Sequence, residues 1–554
     1  MSDRPAQPPV TAPAAASGTP ADGRALRRIL TPVLLLLAAG IFVYHARIYW
    51  AWTEDDAFIS FRYAQNAARG HGFVFNPGER VEGYSNFAWV VLATAALRAG
   101  ADPVGVAKVA GLVAGLGAML LAWGLARRLV PRIGLTALVA PFYLAISPVL
   151  VQHAVSGLET SFFACLLVAA VLLAAAPPRP LVRAGLLAVL LLLALTRPEG
   201  PFVALVLLVV RGLETRLVGG WAEWAGLEPL DPVGSRVVPP RDAGVERAAR
   251  VDALVFLVLF AGYFAWRWHY FGAPFPNTFY AKAMGGSHGL IDGVQYTLDF
   301  LRDGGGAPFF ALGLVPLVLG VRRPVYGLAL AAGATYVGFV LASGGDWMFH
   351  YRFYAHLLPV LAATMAAGFD MLLALPRPGS LRAVFVYGLV AMVLVATCMS
   401  VGNTELRVAR IVLPALERHN YLSQNYEELG LWFRDNTPPE ATVAISDVGA
   451  VGYFSERRVL DMFGLIDPHI ARLAGRMHYK ADAKYVLGRR PDYIVLVSLN
   501  DNGAGYSFQR IPDWSMHAQP AFHAEYELIR TVPQYWQDEF VLVYRRRAVP
   551  AAGG

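Results

Sequence analysis

Long apolar segments, repeated along the chain and separated by short polar loops, leave this sequence few ways to fold. They lie near residues 29–50, 85–99, 103–126, 133–150, 158–176, 181–196, 199–212, 251–271, 307–321, 324–342, 353–375 and 383–401. Thr31 to Trp50 alone reaches the length of about twenty residues that a helix needs to cross a bilayer. Of 554 residues, 16% are charged and 56% hydrophobic, whereas a soluble chain carries about a quarter charged. The expected fold is therefore a polytopic α-helical membrane protein. The net charge of +7 does not call for nucleic acid. Arginines gather in the cytoplasmic loops of membrane proteins, and no basic run here is interleaved with aromatics. Cys165 and Cys398 fall inside apolar stretches, where free cysteine packs as a small hydrophobe, so neither a disulfide nor a thiolate metal site is expected.

The loops sort into two kinds. Residues 1–23, rich in Ala and Pro, read as a disordered cytoplasmic tail, followed by Arg24, Arg27, Arg28 and an uncleaved signal anchor. Arginines mark the loops holding Arg127, Arg128 and Arg132, then Arg179 and Arg183, then Arg322 and Arg323, then Arg377 and Arg382, and also the longer stretch 211–250. The other loops, 51–84, 151–158, 196–200, 272–306 and 343–352, carry acids, His, Gly, Pro and aromatics. The positive-inside rule assigns the first kind to the cytoplasm. Alternation then requires one crossing between Trp52 and Arg127, so the short segment 85–99 is expected to lie along the interface. About eleven crossings remain, with 24–401 as the membrane domain. Residues 402–554 contain no span. "TVAIS", "RVLDMFG", "DYIVLVS" and "FVLVYRR" read as strands and 426–436 as a helix, which suggests a small extracytoplasmic α/β domain. The expected setting is the bacterial inner membrane.

On that topology Glu54, Asp55 and Asp56 of "WTEDDAFISFRYAQN" (52–66) stand outside, at the membrane edge, where charge is costly and marks function. Thr53 or Glu54 can cap a helix starting near Asp55. Asp55, Ile59, Arg62 and Asn66 then share one face, and Asp56 points about 100° away. A desolvated carboxylate has a raised pKa and suits a general base for an acceptor hydroxyl. Arg62, Arg197, Lys282 and Arg352, on the same expected side, suit the charge of a phosphate leaving group. Arg197 with Glu199 in "TRPEG" also reads as an ion pair in a turn, and Arg352 as a snorkelling helix-end residue. Tyr280 and Trp347 read as sugar or isoprenoid contacts, or as interfacial aromatics. His153, His350 and His356 lack metal-ligand spacing. "DVGAVGY" (447–453) reads as a tight turn rather than a phosphate loop, and Asp447, Asp461 and Asp467 as turn and cap residues. Nucleotide-activated donors are cytoplasmic, so outer-face chemistry points to a donor anchored in lipid.

The ordered set "EDDAFISFRYAQN…GFVFNPGERVEGYSN", "SGLET", "TRPEG", "PNTFYAK", "GGDWM…YRF" and "DVGAVGYFS" resembles membrane glycosyltransferases of the GT-C superfamily. It is most like the terminal arabinofuranosyltransferase family of mycobacterial cell walls, whose relatives are often labelled flagellar motor control proteins. The resemblance covers roughly residues 25–545. It implies inverting transfer of a sugar, arabinofuranose among the pentoses, from a polyprenyl-phosphate donor to a cell-envelope glycan or lipid acceptor. Asp55 or Asp56 would be the base, with Asp55 favoured because it shares a face with Arg62. Donor and acceptor contacts fall on Arg62, Glu159, Arg197, Glu199, Asn277, Tyr280, Lys282, Asp346, Trp347, His350 and Arg352. Some superfamily members hold a divalent cation near the acids, here Asp55 or Asp56, and others do not. Two other classes compete. A transporter or flippase of lipid-linked sugars would show internal repeats and mid-membrane charges. No repeat is evident, and Lys108 is the exception among charges that otherwise lie at the outer edges. A non-catalytic envelope or motility factor has no evident need for acids set beside phosphate-binding cations.

Overall fold

The computed structural model describes residues 20–130, 133–224, 243–283, 288–303, 307–318, 323–346, 348, 350–374, 384, 387–388, 391–392, 413–475, 477–499, 506–533 and 540–548. Trp347, most of segment 383–401 and the centre of the 211–250 loop lie outside them.

Helices α1 (Pro20–Ile48), α4 (Pro103–Leu129), α10 (Ala243–Phe271), α15 (Pro324–Ser343) and α16 (Arg352–Ala374) dominate the first part of the chain. Among the described residues, five helices are long and apolar enough to cross a membrane, and a pair bent by 59°, Leu135–Ile146 with Pro148–Ala154, makes a sixth. The protein is a multi-pass membrane protein. Shorter apolar helices occupy four further expected segments: α7 (Thr160–Ala174), α8 (Pro180–Thr196), Gly200–Leu213 within α9 (Gly200–Trp224), and Phe309–Val318. Helix α3 (Phe87–Arg98) has 12 residues, about 18 Å at 1.5 Å per residue, too short for a hydrocarbon core of about 30 Å.

Local chemistry sets the boundaries. Helix α4 starts at Pro103 behind Asp102, whose carboxylate accepts from the amides of Val104 (3.2 Å) and Gly105 (2.7 Å). It ends on Arg127 and Arg128, which suit the negative end of its dipole. Helix α15 starts on Pro324 and stops at Gly344, left-handed at φ 82. Helix α16 runs through the middle of the bundle, with Leu357, Leu358, Ala363 and Ala366 fully buried. Helices α1 and α10 lie outermost and expose Leu36, Leu254 and Val258, as lipid-facing helices do.

The C-terminal domain begins with α17 (Leu413–Asn436) and a five-stranded sheet. Strands β1 (Thr442–Ile445), β2 (Arg458–Asp461) and β3 (Tyr493–Ser498) are parallel; β4 (Tyr526–Pro533) and β5 (Phe540–Arg546) join antiparallel, in the order β2-β1-β3-β5-β4. The four expected strands are present. The fifth, β4, went unread because its Glu527 and Arg530 break the apolar pattern of an edge strand that also carries a register shift between Leu528 and Arg530. "DVGAVGY" is no tight turn: Gly449 begins the helix α18 (Gly449–Ser455).

Helix α18 packs on α2 (Asp55–Ala68) and locks the domain to the bundle. The Asp55 carboxylate accepts from the amides of Gly449 (3.0 Å) and Ala450 (2.8 Å). The Asn76 side chain acts as a short extra strand partner, donating to Val459 O (2.8 Å) and accepting from Val459 N (3.0 Å). Asn277 donates to Gly464 O (2.8 Å). The fit leaves no room at Gly449, where a Cβ would lie 2.0 Å from Asp55 O. Gly449→Ala should therefore destabilise the docked protein by about 1–3 kcal/mol and open the junction to limited proteolysis. Gly488→Ala, in the same domain with open space around it, should leave the cleavage pattern and unfolding midpoint unchanged.

Candidate active site

Helix α2 starts at Asp55 with Glu54 at its N-cap position, but the Glu54 side chain makes no cap hydrogen bond. Instead the Glu54 amide donates to Ser156 O (3.0 Å), tying the helix start to the turn before α7. The loop leading into α2 is fixed by Lys108, whose ammonium donates to Trp50 O (2.5 Å) and Trp52 O (2.8 Å). The exceptional charge in α4 is thus a structural cation.

The face shared by Asp55, Ile59, Arg62 and Asn66 turns toward the C-terminal domain and the loop at 73–76. Arg62 donates to Phe75 O (3.3 Å) and Gln65 Oε1 (2.7 Å), and Asn66 donates to Val74 O and Phe75 O, each at 2.8 Å. Burial lowers the Arg62 pKa to about 10, with Glu456, Arg69 and Arg457 as its charged neighbours. The structure therefore does not bring Arg62 to the other cations, and the ground for favouring Asp55 falls with it.

Asp56 faces elsewhere. Burial raises its pKa first; Lys282 and Arg352 pull it back, while Asp346 and Asp447 push it up. Glu54 is held well above the usual carboxylate range by burial and then by Asp56, and its Oε1 has no hydrogen-bond partner among the described residues. Asp346 is ion-paired to Arg352. Burial opposes its ionisation, yet Arg352 and Lys282 together hold it below the usual range. His350 and Tyr351, just before Arg352, adopt left-handed φ of 54 and 52. Such backbone costs about 1–3 kcal/mol per residue and gathers at functional sites. Here it aims Arg352, and His350 is held by the Gln152 side chain.

Behind this group lies a buried network. Arg197 pairs with Glu199 (2.5 Å) and Glu159 (2.8 Å). Glu159 accepts from Asn86 (2.8 Å), and Glu199 from the Tyr336 hydroxyl (3.0 Å). That hydroxyl lies 2.5 Å from His356 Nδ1. The guanidiniums of Arg197 and Arg352 lie 5.2 and 5.6 Å from the same Phe353 ring, so network and site adjoin. Asn277 and Tyr280 do not point into it. Asn277 holds the 464–465 turn, and the Tyr280 ring carries the Arg472 guanidinium at 4.6 Å. Lys282, two residues past Tyr280, is exposed and acts on both Asp56 and Asp346.

Asp461 and Asp467 serve the turns as expected, accepting from Phe463 N (2.7 Å) and His469 N (2.9 Å). Asp447 does more: it pairs with Arg510 and accepts from the Tyr426 hydroxyl (2.8 Å). Glu82 was unmarked in the sequence; it pairs with Arg267 (2.7 Å). Among the described residues no group of three or more His, Cys, Asp or Glu is placed to hold a metal ion.

The chain superposes on the crystal structure of ArnT from Cupriavidus metallidurans bound to undecaprenyl phosphate, with a TM-score of 0.52 at 13% identity, over 96% of this chain and 98% of that one. The chain shares the fold of that structure. The arabinofuranosyltransferase AftD from mycobacteria aligns with a TM-score of 0.47 and 11% identity, over 92% of this chain and 41% of that one. Over 61 residues the chain is 41% identical to the terminal beta-(1->2)-arabinofuranosyltransferase of Corynebacterium glutamicum; the match is 11% of this chain and 9% of that protein. Residues 418–546 match the family model of a domain of unknown function (DUF8728). In this fold the acids of α2, Asp346 with Arg352, and the C-terminal domain meet at one end of the bundle.

Two expectations follow. Arg197→Ala leaves Glu159 and Glu199 buried without their cation and should cost about 3–5 kcal/mol. Arg197→Lys should recover only part, because one ammonium replaces two forked contacts; unfolding in detergent measures both. Burial pushes Asp55, Glu82 and Asp461 up to about 7. Each of these groups binds more protons folded than unfolded between about pH 4 and pH 7, so the stability each contributes is greater in acid and declines as pH rises through 7. The unfolding midpoint should rise from pH 8 to pH 6, and Asp55→Asn should flatten that rise.

Proposed function

We propose that this protein is an inverting glycosyltransferase. It moves a sugar, arabinofuranose in the first instance, from a polyprenyl-phosphate donor to a hydroxyl of a cell-envelope glycan or lipid, on the extracytoplasmic face of the inner membrane. The observation that carries the reading is Asp56, a carboxylate made more basic by burial and set among Lys282, Arg352 and Asp346. The multi-pass fold shared with ArnT supports a lipid-borne donor. The short stretch shared with the Corynebacterium protein supports arabinofuranose.

In this mechanism Asp56 accepts the proton of the acceptor hydroxyl as its oxygen bonds to the anomeric carbon from the face opposite the phosphate. The anomeric C–O bond to phosphate breaks, and polyprenyl phosphate departs with the bonding electrons. Lys282 and Arg352 take up the charge that develops on it. Asp346 orients Arg352 and keeps that charge from being buried alone. Asp55 serves as a positioning residue, because its two oxygens are already engaged by backbone amides.

A synthetic polyprenyl-phosphoryl pentose and a glycan acceptor test the assignment. Asp56→Asn should lose about 10²–10⁴-fold in transfer rate while still binding donor. Asp55→Asn should keep measurable turnover and show weakened domain docking. Parental transfer by Asp56→Asn would remove the base from this scheme.

A further inference from the structure

Strand β1 has parallel neighbours on both sides, β2 and β3. The chain leaves β1 toward β2 and later returns to β3 on the other flank. Where connections diverge in this way, a crevice opens at the carboxyl ends of the strands, and open α/β sheets bind ligands there. In this domain the residues at that point are Ser446 and Asp447, just past β1, and Ser498, at the end of β3. Asp513 seals the crevice floor, accepting from Ser446 Oγ (3.0 Å) and Val497 N (3.1 Å). Asp447 and Arg510 form an ion pair at the mouth with side chains 23% and 27% exposed, so neither is closed off. The Arg510 guanidinium lies 5.9 Å from the Phe463 ring, which also meets His478 edge-on at 5.0 Å.

This end of the sheet lies against the acids of the membrane domain. Asp447 is two residues before the amide that binds Asp55. Its charge opposes ionisation of both Asp55 and Asp56, and His478 senses Asp447, Lys282, Arg510 and Asp56 together. A carboxylate paired with a guanidinium, each partly exposed, offers acceptors and donors to neighbouring hydroxyls of a sugar ring.

We propose that Asp447 and Arg510 form the acceptor subsite, binding hydroxyls of a carbohydrate whose reactive oxygen is presented to Asp56. The assignment rests on the glycosyltransferase reading above and gives the C-terminal domain a role in choosing the acceptor. The full-length protein in detergent would be given a polyprenyl-phosphoryl pentose and a short synthetic oligosaccharide. Acceptor KM, donor KM and acceptor-independent donor hydrolysis would be measured separately. Asp447→Asn and Arg510→Lys should raise acceptor KM about tenfold or more, with donor KM within about twofold of the parent. Calorimetric binding of the same oligosaccharide without donor gives a readout independent of transfer, and unfolding midpoints show that both variants fold. An unchanged acceptor KM, or an equal rise in donor KM, would overturn the subsite. A parent that binds the oligosaccharide through Asp447 but neither transfers nor hydrolyses would retain the carbohydrate site and sink the glycosyltransferase reading instead. A parent that does not bind the oligosaccharide overturns the subsite.

Discussion

A carboxylate withdrawn from water must find donors, and Asp55 finds them in another domain. Its two oxygens accept from the first amides of α18, where the helix dipole also favours a negative charge. This contact holds the N-terminus of α2 against the C-terminal domain and commits one face of α2 to packing. Phe58 then lies 5.8 Å from Tyr453 and 5.3 Å from Phe454. Asp56, about 100° round the helix, is left to face Lys282 and Arg352. Two adjacent aspartates thus acquire different work from their environments.

Charge balance governs the rest of the site. Glu54, Asp56 and Asp346 stand against Arg352 and Lys282, and Glu159 and Glu199 against Arg197. The second set is buttressed by Asn86 and Tyr336, with Glu199 Oε2 left without a hydrogen-bond partner among the described residues. The first set also holds a Glu54 oxygen without a hydrogen-bond partner among the described residues, and adds left-handed backbone at His350 and Tyr351. Imperfect pairing and strain cost stability. In the proposed transfer, a site that receives a phosphate and releases it has reason to retain both.

Much of the fold was legible. Apolar length gave the membrane class, and β-branched runs between turn formers marked β1, β2, β3 and β5. The α/β character of residues 402–554 followed from their alternation with helices. Strand β4 was hidden because an edge strand with one wet face carries Glu527 and Arg530. In the site, the pairing of Arg197 with Glu199 was readable from motif spacing, whereas the pairing of Arg352 with Asp346 was not read, Arg352 being expected to meet phosphate or to snorkel. Glu159 in that network, at 2.8 Å from Arg197, was readable only as part of a motif. The role of Arg62 was misread, since helical periodicity says which residues share a face and not what that face meets. Asp447 looked like a turn residue because its partners, Tyr426 and Arg510, are far away in sequence.

The sequence by itself determined the solvent. Twenty-residue apolar helices and sparse charge require a bilayer whatever the packing, because transfer free energy depends on composition and length. It also determined that acids and cations would recur at loop ends, where charge is tolerable. Only the tertiary structure decided which aspartate meets the amides and which meets the cations. That choice depends on the direction from which a domain some four hundred residues downstream docks on α2. Such contacts are set by three-dimensional fit, down to the missing side chain of Gly449, and local sequence carries no record of the partner.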